Sequence, residues 1–211
     1  MSKAYDQYRE LLSQRKFGEA ARLAEQAHLE GNPRNPFWLT RQAAALTRAG
    51  EFGQALTVSE QALAIAPANP YALLCMAEAL SGLRRYKEAL EVYEPIVTKA
   101  NDKVATVARN GMLACLAELR SWDRILEQIG IWQLPPNRVY RWRVKALEGQ
   151  NRTGEAIDIC HQWLKDNQDH PQALWELTEL EIQRVGSDAV QTRMGRLAKM
   201  PSRPIVYLEI D

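Results

Sequence analysis

At 211 residues, 46% hydrophobic and 25% charged, the chain has the composition of a globular protein with room for one large domain or two small ones. Its 27 Lys and Arg against 26 Asp and Glu argue against a dedicated nucleic-acid binder and against a polybasic membrane anchor. No stretch reaches the ~20 apolar residues of a membrane span, and the polar segment Met1–Asp6 lacks the apolar core of a secretion signal, which points to a cytoplasmic protein. Cys75, Cys115 and Cys160 are an odd set without Cys-x-x-Cys spacing, each among apolar helical positions, and read as free thiols filling a core.

The chain restarts its own pattern. Asn35-Pro36 returns as Asn69-Pro70 after 34 residues, and a short turn divides the segment between them into two apolar-striped halves. Phe17, Phe52, Tyr86 and Trp122 follow successive turns at intervals of 35, 34 and 36, and Thr153 comes 31 later. Three residues after each stands Ala20, Ala55, Ala89, Ile125 or Ala156; six before each stands Leu11, Leu46, Leu80, Leu116 or Leu147. Such a register predicts two helices per block, packed on each other through the leucine and the small residue.

In chain order, the first block pairs the stripe Tyr5, Tyr8, Leu11, Leu12 with Ala20, Leu23, Ala24, Ala27 and ends at Gly31-Asn32-Pro33, where Gly suits a helix C-cap. The second and third open on Asn35-Pro36 and Asn69-Pro70, with Asn as cap and Pro where its missing N–H costs nothing. Pro95 inside the third block's second helix predicts a bend near Glu91 or an early stop. In the fourth block the second helix, Trp122 to about Trp132, is cut short by Leu134-Pro135-Pro136. The fifth is regular and ends at His170-Pro171; the sixth turns at Val185-Gly186-Ser187. The tail from Pro201 favours an extended segment. The expected fold is all-α: a right-handed α-solenoid of about six antiparallel helix pairs, in units 2–35, 36–69, 70–101, 102–136, 137–170 and 171–200, with 201–211 as the tail.

The register resembles the tetratricopeptide repeat, a 34-residue helix-turn-helix. The second block matches at Leu39, Ala43, Leu46, Gly50, Phe52, Ala55, Ala62 and Pro67, the third at Leu73, Ala77, Leu80, Tyr86, Ala89 and Tyr93, and the fifth at Leu147, Ala156 and Trp163. In that family the first helix of each pair lines a concave groove. The resemblance therefore implies a protein-interaction scaffold or adaptor that binds a partner segment through Tyr5, Arg9, Phe37, Thr40, Arg41, Tyr71, Leu74, Glu78, Asn110, Arg141, Lys145 and Trp175. One subtype captures the C-terminal carboxylate of heat-shock chaperones with lysines, asparagines and an arginine; the corresponding positions here hold Tyr5, Arg9, Arg41, Tyr71 and Cys75, so that activity does not carry over.

Two other readings stand beside the groove. The solenoid ends or the apolar run Ile205–Leu208 could build a homodimer. The run Arg138–Lys145 interleaves basic and aromatic residues, as an RNA-binding surface does, although long basic side chains also cover apolar helix faces. No enzyme, cofactor or metal site is expected. The three histidines lack ligand or nucleophile spacing, Cys160 and His161 point about 100° apart on a helix, and no Gly-rich phosphate loop appears.

Overall fold

The computed structural model describes residues 3–98, 103–133, 136–166 and 171–185. Among these the chain is all-helical, with eleven helices and no strand. They are α1 (Lys3–Ser13), α2 (Phe17–Leu29), α3 (Phe37–Ala49), α4 (Phe52–Ile65), α5 (Pro70–Gly82), α6 (Tyr86–Val97), α7 (Lys103–Glu118), α8 (Trp122–Trp132), α9 (Pro136–Gly149), α10 (Thr153–Asp166) and α11 (Pro171–Val185). The chain divides into two compact units, residues 1–119 with α1–α7 and residues 120–211 with α8–α11. Within each unit, consecutive helices pack on one another through short connections, so neighbours run antiparallel. None of the described helices is long and apolar enough to cross a membrane.

The leucine register has a backbone meaning. Four first helices, α1, α3, α5 and α9, end in a Schellman turn, in which an amide two residues beyond the helix cap reaches back to the last-but-one turn. The amides of Lys16, Glu51, Arg85 and Arg152 donate to the carbonyls of Leu11, Leu46, Leu80 and Leu147 at 2.8–3.0 Å. Those leucines thus supply both a core side chain and the acceptor that closes the turn. The residue before each donor must be left-handed, and it is: Arg15, Gly50, Arg84 and Asn151 have φ of 58°, 82°, 61° and 59°, with Arg120 at 53° in the fourth turn. The following residue is nearly invariant too, with Lys16, Glu51, Arg85 and Ser121 at φ −83° to −85° and ψ 55° to 62°.

The second helices pack close. Ala20, Ala55, Ala89, Ile125 and Ala156 are all 0% exposed. The aromatic that opens a second helix lies against the next first helix, four residues before the next aromatic position. Phe52 covers Gly82 and Trp122 covers Gly149, so tightly that a Cβ on either glycine would fall 2.3 Å from the ring. In unit 1 the core runs from Tyr8 through the alanines of α2–α4 to Cys75 and Ala79; in unit 2 it gathers Tyr140, Val144, Leu147, Ile157, Cys160, Leu177 and Leu180.

Asn69 caps α5 as expected, accepting from the amides of Tyr71 and Ala72, and Asn35 accepts from Phe37. α6 runs through Pro95 and ends two residues later at Val97. Gln133, at φ 47°, terminates the short α8 at Trp132. Gly31 is no left-handed cap, since α2 closes through Glu30 with the Gly31 amide on His28. The turn from Gly186 onward, the second helix of the sixth unit and the extended tail lie outside the described residues.

Candidate functional site

Asn35 and Asn69, by capping, place an aromatic at the start of α3 and of α5. Phe37 remains 37% exposed and Tyr71 54% exposed, so both rings reach the surface. On unit 1 four rings from α1 and α3 gather. Tyr5 lies 5.7 Å from Phe37 and 6.5 Å from both Tyr8 and Trp38, and Trp38 sits edge-on to Tyr8 and Phe37 at 6.2 and 5.1 Å. Such edge and tilted pairs suit the ring quadrupoles.

Arg41 lies one turn further along α3. Its guanidinium carbon stands 5.0 Å from the Phe37 centroid and 5.7 Å from that of Tyr5, within cation–π range of both. The Tyr8 hydroxyl donates to the Arg41 carbonyl at 2.8 Å, tying α1 to α3 beneath that side chain. Arg41 Nε is buried without a hydrogen-bond acceptor.

A polar strip continues from here. Burial pushes the Tyr8 phenol up to about 12, against the pull of Arg48 and Arg41. Burial also pushes the Cys75 thiol up to about 12, with Glu78 adding to the rise and Arg48 and Arg41 opposing it. Glu78, half-buried on α5, has its carboxyl pKa raised by burial, with Arg48 pulling the other way. Tyr8, Arg41, Arg48, Cys75 and Glu78 therefore form one electrostatic neighbourhood across α1, α3 and α5.

The remaining expected groove positions vary. Arg9 is exposed, and Leu74 and Asn110 are half-buried. Thr40 corrects the expected surface: it is 7% exposed, its hydroxyl donates to the Pro36 carbonyl at 2.9 Å, and its own carbonyl faces the Cys75 thiol. Its side chain belongs to the packing between helices and not to the surface.

In unit 2, Arg141 of α9 is exposed but paired, its Nε 3.4 Å from a Glu176 oxygen on α11. The other oxygen of Glu176 accepts from the Tyr140 hydroxyl at 2.5 Å. Tyr140 stacks on Trp163 at 5.2 Å with the planes 5° apart. Lys145 stands 5.8 Å from the Trp142 ring. Trp175 is half-buried, with its indole nitrogen buried and lacking an acceptor.

Reading the stripe alone missed Trp38, the Tyr8 hydroxyl and the bond from Tyr140 to Glu176. A signal for the last exists: Tyr140 and Glu176 are 36 residues apart, about one repeat length, whereas Tyr8 bonds a main-chain carbonyl 33 residues on, which no residue type announces. Polar residues of complementary type at that separation meet across successive first helices.

The tetratricopeptide-repeat family model matches residues 46–109. No curated protein matches the chain. A tetratricopeptide-repeat protein from Parabacteroides merdae shares the fold at 13% identity, with a TM-score of 0.73 over 93% of this chain and 78% of that one. YrrB, described as a tetratricopeptide-repeat protein with an unusual peptide-binding site, aligns at 13% identity and a TM-score of 0.57 over 82% of this chain and 90% of its own. A structure of MamA (AMB-1) aligns at 14% identity and 0.55 over 81% and 100%. Identity at this level speaks for the fold alone, and tetratricopeptide repeats are generally protein–protein interaction modules that take peptide or protein partners. The matched repeat model covers residues 46–109 at the centre of the chain, and helix pairs closed by the same turn stand on either side of it, so the chain has the fold of the tetratricopeptide repeats.

Proposed function

We propose that the protein is a non-enzymatic adaptor that holds a segment of a partner protein along the first helices of unit 1. The observation that carries this reading is the row of exposed rings Phe37 and Tyr71, with Arg41 against Phe37 and Tyr5. Tyr and Arg are the side chains that most often dominate interfaces, and aromatic rings provide contact area at small entropic cost. The capping asparagines position the rings on rigid helices, so little ordering is needed on binding. A peptide-binding site described for YrrB, a protein of the same fold, is consistent with such a use.

The basic face of α9 supports an RNA reading less well. Arg141 is engaged by Glu176, whose carboxylate would repel a phosphodiester chain, and the near-zero charge balance offers little counterion release.

The test is affinity capture with mass spectrometry from the source organism's lysate. The full chain is compared with a Phe37→Ser, Tyr71→Ser double variant. Proteins retained by the first and lost by the second are the expected result. An identical set on both would remove the groove from consideration.

A further inference from the structure

Arg41 and Arg141 both stand on first helices, and the contrast between them is informative. For Arg141 the chain supplies its own acid one repeat on: Glu176 lies 35 residues later, at 3.4 Å. The same step from Arg41 lands on Cys75 and Met76, a thiol and a thioether. Among the described residues no carboxylate lies within ion-pair distance of Arg41, of Arg9 or of Arg48. The one acid in this neighbourhood, Glu78, interacts with Arg48.

Arg41 is also held in advance. Phe37 and Tyr5 flank its guanidinium, and the Tyr8 hydroxyl fixes its backbone carbonyl. Nε is sealed from solvent and the residue is half-buried, which leaves the terminal edge with the two Nη groups as the part of the guanidinium able to take a ligand. That edge is planar and matches a carboxylate with two parallel hydrogen bonds. A guanidinium whose rotamers are already restricted loses little entropy on pairing, and ring neighbours lower the competing water.

We propose that the Arg41 face of unit 1 is a receptor for a side-chain carboxylate, an aspartate or glutamate within an extended peptide, flanked by an apolar or aromatic residue that lies against Phe37 and Tyr71. This rests on the groove reading above and adds the chemistry of the partner. A nucleic acid suits the face less well. A phosphate backbone is tracked by an array of cations, whereas this strip carries no lysine among its lining side chains.

The test uses short, labelled, C-terminally amidated peptide pools, so that no terminal carboxylate is present. Each pool has a fixed central Glu, Asp, Gln or Lys between randomised Ala, Leu, Phe, Tyr and Ser. Binding to the full chain is read by fluorescence anisotropy, beside a labelled oligouridine. The Glu and Asp pools are expected to bind about tenfold tighter than the Gln and Lys pools. Arg41→Gln should erase that difference with an unchanged helical circular-dichroism spectrum, while Arg41→Lys should keep part of it.

The receptor is overturned if the Gln pool binds wild type as tightly as the Glu pool. It is also overturned if the acid preference survives Arg41→Gln, or if the oligouridine binds more tightly than the Glu pool through Arg41. Equal binding of all pools that is lost in the Phe37→Ser, Tyr71→Ser variant would sink the acid receptor and leave the groove standing. Binding by no pool, or binding untouched by that double variant, would sink both.

Discussion

The left-handed turn residues permit a test in which two substitutions at one repeat position act in opposite directions. Gly50 and Arg84 occupy equivalent sites, at φ 82° and 61°, in turns closed by the same pair of backbone bonds. A Cβ at position 50 would meet nothing within 4 Å, so Gly50→Ala adds backbone strain without a clash. A non-glycine residue in this region costs about 1–2 kcal/mol. Removing glycine returns about 0.5–1 kcal/mol through the unfolded chain's entropy. The net expectation for Gly50→Ala is a loss of about 0.5–1 kcal/mol, obtained by subtracting the second figure from the first.

Arg84 is exposed, and its amide, unlike its side chain, takes part in the turn. Arg84→Gly should therefore give a gain of about the same size. Urea unfolding reads both as shifts in midpoint at constant slope. The reasoning is refuted if the two variants move the midpoint in the same direction, or if Arg84→Asn exceeds Arg84→Gly.

Gly82→Ala should cost about 1–3 kcal/mol, because its Cβ enters the Phe52 ring, and Phe52→Leu in the same chain should recover part of the loss in a double-mutant cycle by thermal unfolding. Tyr140→Phe should cost about 1–3 kcal/mol in urea unfolding, by taking a charge-assisted hydrogen bond from Glu176. The three buried thiols, with Cys75 and Cys160 pushed up to about 12 by burial, should react with a disulfide reagent at neutral pH only at the rate of unfolding, which stopped-flow absorbance in native and denaturing buffer compares directly. Glu78 has a folded-state pKa raised by burial, so its contribution to stability is full below the unfolded-chain value and is lost as pH climbs through the folded one. Glu78→Gln should accordingly raise the urea midpoint at neutral pH and leave it unchanged near about pH 4.

Much of the fold was legible because one geometric unit is used repeatedly. Leu11, Leu46, Leu80 and Leu147 mark the turn through a carbonyl that every residue type has, and the buried side chains of the last three mark it again. The left-handed residue was readable at Gly50 and at Asn151, the two residue types that favour this region. Arg15 and Arg84 adopt the same φ because the two closing hydrogen bonds outweigh a strain that leaves no imprint on residue choice. At the candidate site, Phe37, Arg41 and Tyr71 could be found from helical spacing after the Asn-Pro stops. The burial of Thr40 could not, because a threonine that returns its hydroxyl to its own helix looks, as a letter, like one that faces water. The pairing of Arg141 with Glu176 required a separation of 35 residues, beyond any local window.

The alanines at 0% exposure carry a consequence for variation in this chain. Each contributes a single methyl, about 0.8 kcal/mol of burial, so their main service is to let two helix backbones come near. Tolerance at these sites is therefore lopsided. Shrinking Ala20, Ala55, Ala89 or Ala156 to glycine forfeits about 1 kcal/mol of helix propensity. Enlarging any of them pushes apart helices that neighbours on both sides hold in place. A saturation scan would show these four columns with a ceiling on side-chain volume and hardly any floor.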